Sequence, residues 1–391
     1  MRVLIVHNAY QQRGGEDVVV DEELRLLRDA GNVVSTYLVN NDSIDGPLSR
    51  ASAAWKSKYD ARQGLAISEV IRDFAPDVVH IHNFFPILTP AIHVAAREMA
   101  VPVVQTLHNF RITCASALLL RNGQICEKCV HGSAFWGAYH RCYRNSLVGS
   151  LAVARMIDFA RREHIWSENV DRFVALTEFS RQKFIEAGLP PERIAVKPNF
   201  LQKPAPIEAK HCPQRRGLLF VGRLSREKGV ELLIRAMEQV PDQSLRIAGD
   251  GPEFERLTLI AGKNVTLLGA LTATEVRNEM LCAEALVMPS QWYEGFPITL
   301  LEAFANALPV IATKIGSLAE LIDNDRTGLL VEAGDVESLA AAMRRVTSDR
   351  DAARGLGKRA YATFLERYTP SVNLAKLLEI YDEARRQSSL G

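Results

Sequence analysis

Apolar positions along this chain fall into short runs separated by stretches of helical period. Residues 3–6, 33–38, 78–81, 103–107, 173–176 and 194–196 are mostly β-branched or otherwise apolar. They read as strands buried on both faces of a parallel sheet. Residues 18–30, 67–74, 90–99 and 179–187 instead place apolar side chains three and four apart, with Gly31 and Gly188 following the first and the last as helix stops. Strand and helix alternate in this way over residues 1–200. The pattern predicts a doubly wound α/β domain whose ligands lie beyond the carboxyl ends of its strands.

Residues 201–216 carry three prolines and almost no apolar periodicity, as an interdomain linker would. The alternation resumes at Leu218, with strands expected at 218–221, 245–248, 265–268, 285–288, 310–312 and 329–331. This predicts a second α/β domain over 217–365, followed by a segment, 366–391, with a helix at 372–386. The length of 391 residues supports two domains independently, because single cores stop growing at about 250–300 residues.

Composition narrows the classes. Apolar residues make up 47% and charged ones 24%, as in an ordinary globular protein. The net charge of +1 argues against a general nucleic-acid binder. The start holds one charge and a four-residue apolar strand, too short for a signal peptide, and no window reaches the apolar length of a membrane span. These features predict a cytoplasmic protein, with its six cysteines reduced unless a metal holds them.

The candidate chemistry lies at the turns after the strands. Around residues 285–307 a buried strand, a short loop and a helix starting at Pro297 place Glu294 before the helix and Glu302 in its second turn. Two carboxylates then frame a helix N-terminus, a place suited to phosphate. Gly14 and Gly15, after the first strand, allow close backbone approach to a phosphate, or form only a turn. Arg223 and Lys228 follow the first strand of the second domain, and Gly249 and Gly251 the next, with Gly269 on the same wall. His108 ends a strand of the first domain; His82 and Asn83 end its neighbour.

Pro289-Ser290, Tyr293-Glu294-Gly295-Phe296-Pro297 and Leu300-Leu301-Glu302-Ala303, with Gly222-Arg223-Leu224 and Lys228-Gly229, resemble the signature loops of retaining glycosyltransferases of family 4. The resemblance implies a GT-B fold: two Rossmann-like α/β domains facing across a cleft, the first on the acceptor side and the second binding a nucleotide sugar. It also implies a terminal helix that returns to the N-terminal domain. By the same resemblance, Glu294 and His108 act at the donor sugar. Gly14, Gly15, Arg223, Lys228, Gly249, Gly251, Gly295, Phe296, Pro297 and Glu302 bind the donor, Glu302 through the ribose hydroxyls. The implied reaction is transfer of a sugar from a UDP- or GDP-linked donor to a hydroxyl of a glycan or lipid-linked saccharide, without a catalytic metal. Asn109 departs from the family's usual residue after the histidine. A sugar-nucleotide epimerase of the same architecture and a non-catalytic scaffold remain as alternatives.

The insertion at about 110–165 stands apart. Cys114, Cys126, Cys129 and Cys142 are spaced C-x11-C-x2-C-x12-C, with Asn122-Gly123 predicting a hairpin before the tight pair. This fits either a structural zinc site, with His131 or His140 as substitute ligands, or four cysteines without metal. Basic residues interleaved with Phe135, Trp136, Tyr139 and Tyr143, beside a helix expected at 147–162, fit either peripheral contact with an anionic membrane or a solvated face.

Overall fold

The structure, a computed structural model, describes residues 1–9, 14–41, 46, 54–202 and 214–388. It divides into two compact units: Met1–Arg121 with Cys126–Asn199 and Asn373–Gly391, and Phe200–Val372 with Asn122–Ile125. Most of the linker expected over 201–216 lies outside the described residues.

The first unit runs β1 (Arg2–Ala9), α1 (Gly15–Asp29), β2 (Val33–Asn40), α2 (Ala61–Phe74), β3 (Val78–Ile81), α3 (Ala91–Glu98) and β4 (Val103–Leu107). Two-residue strands β5 (Leu120–Arg121) and β6 (Gln124–Ile125, grouped with the other unit) pair in a hairpin, followed by α4 (Phe135–Tyr139), α5 (Leu147–Arg162) and α6 (Ile165–Asn169). Then come β7 (Arg172–Ala175), α7 (Glu178–Glu186) and β8 (Ile194–Val196). The large sheet is parallel, in the order β2-β1-β3-β4-β7-β8, so the winding reverses between β1 and β3. In such sheets ligands bind where the strand order reverses. Asn122 and Gly123 both adopt positive φ, 53° and 75°, as a tight two-residue hairpin turn requires.

The second unit runs β9 (Leu218–Val221), α8 (Val230–Glu238), β10 (Leu245–Ala248), α9 (Phe254–Ile260), β11 (Val265–Gly269), α10 (Ala273–Cys282) and β12 (Ala285–Met288). It continues with α11 (Ile298–Ala305), β13 (Val310–Thr313), α12 (Gly316–Leu321), β14 (Gly328–Val331), α13 (Val336–Ser348) and α14 (Arg350–Arg367). Helix α15 (Pro370–Ser388) follows, and most of it belongs to the first unit. The second sheet has the order β11-β10-β9-β12-β13-β14, with its reversal between β9 and β12. Both units are thus doubly wound and parallel.

The inner strands of each sheet are buried because they are apolar on both faces, whereas β2, expected to be buried too, is an edge strand with Val33 and Leu38 each 53% exposed. Val3, Leu4, Val6, Val78, Val79, Leu218, Leu219, Leu286 and Val287 have no exposed surface, and each such side chain contributes about 1.5–3 kcal/mol by leaving water. In the first unit Leu377, Ile380, Tyr381 and Ala384 of α15 pack with Val3, Ile5 and Val20, Leu24 and Leu27 of α1.

Polar punctuation fixes the element ends. Thr177 caps α7 and Thr272 caps α10, each in a reciprocal capping box, and Ser146 accepts from Gly149 N at the start of α5. One expected start moves. Pro297 is the N-cap of α11 and not its first residue, because its ψ of 118° is extended. Cys282 is disulfide-bonded, which corrects the expectation of six reduced cysteines: that expectation came from compartment chemistry, whereas pairing depends on which cysteines the fold brings together. Cys114, Cys126, Cys129 and Cys142 are free.

At Gly249, φ is 147° and an added Cβ would collide with the carbonyl oxygen of Gly222. Its N–H meanwhile donates to Gly269 O at 2.7 Å. Replacing Gly249 by Ala should therefore lower the stability of the second unit by about 2 kcal/mol or more, read as a drop in its urea midpoint; an unchanged midpoint would show that the loops separate freely.

Candidate active site

In the second unit the loops after β9 and β12, the two strands flanking the reversal, meet. Glu294 is 4% exposed. Its carboxylate accepts from Lys228 Nζ at 2.8 and 3.0 Å and from Ser290 Oγ at 2.6 Å. Ser290 is itself held by its carbonyl, which accepts from Thr313 Oγ1 at 2.6 Å. Lys228 also lies 5.5 Å from the centre of the Trp292 ring. The 3-10 turn Arg226–Lys228 aims this lysine, ending at Gly229, whose φ of 70° and contact with the Pro289 carbonyl leave no room for a Cβ.

The other second-unit candidates take distinct places. Arg223 is exposed, and its side chain has no hydrogen-bond or ion-pair partner among the described residues. Arg226 is also exposed, 3.3 Å from Glu253. Glu302 is half-buried in α11, and burial pushes its carboxyl up. Gly249, Gly251 and Gly295 are half-buried in the turns. Phe296 points into the protein, its ring 5.8 Å from that of Tyr368 at 67°. The N-terminus of α11 has neither a side-chain cap nor an acid in its first turn, so its N–H groups and dipole suit an anion.

In the first unit, Gly14 caps α1 and donates its N–H to Asp17 Oδ2 at 2.7 Å, while Gly15 opens the helix. The Asp17 carboxylate also bonds His7 Nε2 at 2.9 Å. This glycine turn therefore has one N–H engaged by its own helix, and residues 10–13 of the same loop lie outside the described residues. Asn83 is structural: its amide donates to Asn8 O at 2.7 Å and its carbonyl accepts from Phe85 N at 3.1 Å. Asn109 accepts from Arg111 N at 3.0 Å.

His108, just beyond β4, bonds through Nε2 to His82 Nδ1 at 2.9 Å, the rings stacked with centroids 5.2 Å apart. Behind His82 lies a buried polar cluster. His82 Nε2 is 3.4 Å from Glu23 Oε1, and His80 Nδ1 is 3.2 Å from the same oxygen. His80 also bonds Tyr381 Oη and Thr106 Oγ1, both at 2.8 Å. Lys197 Nζ donates to Glu23 Oε2 at 2.8 Å and to Asn373 Oδ1 at 3.2 Å. Desolvation opposes the Glu23 charge, but the Lys197 ammonium, then His80 and His82, hold its carboxyl well below the usual range. Desolvation, then the neighbouring His80, lowers His82 to about 3; desolvation, then His82, lowers His108 well below its ordinary value. Both imidazoles are neutral at pH 7.

Glu23, His80, Lys197 and Tyr381 were not among the residues expected at a site. A signal was present for Glu23: with Val19, Val20, Leu24 and Leu27 it shares the apolar stripe of α1, where an unpaired charge is rare. Its partners His80 and Lys197 are 57 and 174 positions away, and Tyr381, which bonds His80, is 301 positions from that histidine, so the pattern alone could not name them.

The cysteines of the insertion come together. Cys114, Cys126, Cys129 and Cys142 line one small cavity with His140, whereas the exposed His131 lies 3.7 Å from Glu127 and 3.8 Å from Glu186. Phe135, Trp136 and Tyr139 are exposed on α4. Among the described residues no helix is long and apolar enough to cross a membrane.

Residues 9–199 match the family model described as glycosyl transferase 4-like domain, and residues 208–363 the model described as glycosyl transferases group 1. With two doubly wound parallel sheets, the chain belongs to the GT-B glycosyltransferases of the family-4 type. It is 26% identical over 365 residues, 86% of its length, to the sulfoquinovosyl transferase SQD2 of Arabidopsis thaliana, and spans 64% of that protein. Its fold matches sucrose-phosphate synthase from Thermosynechococcus elongatus with a TM-score of 0.72 at 18% identity, over 98% of this chain and 99% of that one. It also matches HepE of Anabaena, solved in complex with UDP, with a TM-score of 0.68 at 18% identity, over 97% and 100% of the two chains.

Removing one member of the Glu23–Lys197 pair leaves the other charged and buried. Lys197→Met should cost about 3–5 kcal/mol, with Glu23→Gln in the same chain recovering part of the loss in urea melts. An additive double variant would mean that the two do not act as a pair. The pH dependence follows from His82 and from His93, which desolvation lowers to about 4. Both stay neutral when folded but take up protons below about pH 6.5 when unfolded. Stability should thus fall with pH below that value, by up to about 1.4 kcal/mol per pH unit for each histidine. Glu23, depressed in the folded state, stabilises above its unfolded value and loses that contribution only at more acid pH, so the histidines dominate between pH 6.5 and 5. A flat urea midpoint across this window would contradict the assignment.

Proposed function

We propose that this chain transfers a sugar, with retention of configuration, from a UDP- or GDP-linked donor to a hydroxyl of a glycan or lipid-linked saccharide in cell-surface polysaccharide synthesis. The observation that carries the reading is the Lys228–Glu294–Ser290 cluster at the reversal of the second sheet, next to the uncapped start of α11. It lies within the segment that matches glycosyl transferases group 1. The sulfoquinovosyl transferase relative and the UDP bound to the Anabaena protein are in line with a nucleotide-sugar donor.

The chemistry is charge management. Breaking the bond between sugar and nucleoside diphosphate leaves negative charge on the departing phosphate. Lys228 and the N–H groups of α11 supply compensating charge from fixed positions, Arg223 adds a cation from the exposed turn after β9, and no divalent ion is invoked at the donor. Glu294, held by Lys228 and Ser290, faces the sugar ring. Glu302, whose buried carboxyl gains most from hydrogen-bond donors, takes the ribose hydroxyls. His108 is neutral and fixed by His82, so it acts as a hydrogen-bonding partner of the donor sugar and not as an acid.

Calorimetry with UDP, GDP and ADP should find one preferred nucleotide. Arg223→Ala combined with Lys228→Ala should weaken it by about tenfold or more per residue, as expected for charge-assisted bonds, with the melting temperature retained in Arg223→Ala alone and lowered once loss of Lys228 leaves the Glu294 carboxylate without its partner; unchanged affinity would reject the diphosphate assignment. Glu294→Gln should lower turnover about 10²–10³-fold, and a wild-type rate would remove it from the reaction. Anomeric analysis of the product by NMR tests retention.

A further inference from the structure

Among the described residues two clusters bring three ligand-type side chains within 4.8 Å of one another: Glu23, His80 and His82, and Glu127, His131 and Glu186. Neither calls for a metal, because each already holds an ammonium. Lys197 lies 2.8 Å from Glu23, and Lys183 lies 3.0 Å from Glu127 and 2.9 Å from Glu186. In the cysteine cavity the lining lysine, Lys128, lies over the Trp136 ring, 5.0 Å from its centre, and among the described residues no carboxylate joins the cysteines there.

Three separate segments deliver its sulfurs: Cys114 from the turn after β4, Cys126 and Cys129 from the knuckle after β6, and Cys142 from the turn after α4. The cavity measures about 10 Å³, roughly one water-sized sphere. Two polar nitrogens on its lining residues, Arg121 Nε and His140 Nε2, are buried without a hydrogen-bond partner. A buried guanidinium N–H without an acceptor costs free energy, so an anionic acceptor belongs beside it.

The surrounding backbone also needs a staple. Of the twelve non-glycine residues with positive φ among the described residues, six lie between Ala117 and Asn145. The same stretch contains only a two-residue hairpin and a five-residue helix as regular structure, too little to fix its own course.

We propose that Cys114, Cys126, Cys129 and Cys142 bind one structural zinc ion as thiolates, with Arg121 and His140 supporting the sulfurs from outside. Binding replaces four thiol protons, which leave to solvent, and produces a dianionic tetrathiolate without redox change. Positive charge is at hand to offset it: Arg121 and Lys128 line the cavity, and Arg161 donates to the carbonyls of Cys129 and Gly132, both at 2.8 Å. Zinc–sulfur bonds of about 2.3 Å require sulfurs about 3.8 Å apart. Among the described residues no three of these sulfurs form a cluster within 4.8 Å of one another, so zinc binding draws the sulfurs together. The site lies within the first unit, and the proposal does not depend on the donor or the reaction.

The test is elemental analysis of the full chain, purified without added metal. About one zinc per chain is expected, absent from Cys126→Ser. Because that variant can misfold, the wild-type chain is also stripped with a chelator: its melting temperature should drop and recover with zinc, and cobalt should give the visible bands of a tetrahedral thiolate site. Arg121→Ala should weaken zinc retention about ten- to hundredfold, and unchanged retention would overturn the role given to that residue. Metal-free protein with four titratable thiols, a mass showing disulfides among them, or iron with inorganic sulfide would each overturn the zinc assignment.

Discussion

The ion pair between Glu23 and Lys197 is the constraint on which the first unit depends. Both side chains are almost fully buried, 1% and 2% exposed, and they join α1 to the residue after β8 and, through Asn373, to α15. A buried pair of charges is costly to assemble and more costly to break. The arrangement therefore ties three distant segments to one geometry and leaves little tolerance for alternatives. Because His80 and His82 share the Glu23 carboxylate region and His82 bonds His108, the position of the imidazole beyond β4 is set by a charge deep in the core. Packing and chemistry meet there in one hydrogen-bonded cluster.

The second unit solves a different problem, how to bring backbone and charge close together at the end of a parallel sheet. The turns after β9 and β12 meet because the winding reverses between those strands. Gly229 lets the first turn pass against the carbonyl of Pro289, and Lys228, one residue earlier, then reaches Glu294. Shortening or re-angling either turn would separate that pair. The carboxylate is consequently preorganised: Ser290 and Lys228 fix its orientation at the start of α11, where an unfixed glutamate would sample many rotamers.

Much of this could be read from the sequence, for identifiable reasons. The runs at 78–81, 103–107, 218–221, 245–248 and 285–288 end where the strands end, because each is a mainly apolar block between polar turns, His80, Gln105, Thr106 and Arg246 being the polar members. Helix α1 begins at Gly15, ahead of the expected Val18, because its first turn, Gly-Glu-Asp, is polar and leaves no periodic mark. Pro297 moved by one residue since proline fixes φ but leaves ψ free. Motif resemblance brought Lys228 and Glu294 to notice for separate tasks, yet not their contact, because a pair 66 residues apart is decided by sheet order. The least legible feature was Glu23: apolar periodicity counts the hydrophobic members of a stripe and passes over the one charge within it.

The path of the chain has a consequence for biosynthesis. The first unit is interrupted: residues 200–372 fold elsewhere, and Leu377, Ile380 and Tyr381 then return to fill its core. On a ribosome adding about 5–20 residues per second, the first 199 residues wait on the order of ten to thirty seconds for the helix that completes them. Until then Val3, Ile5 and Leu27 lack part of their apolar cover, and the Glu23–Lys197 pair lacks Asn373. The domain made first is therefore the one finished last, with a nascent intermediate that offers an apolar surface to any chaperone near the exit tunnel.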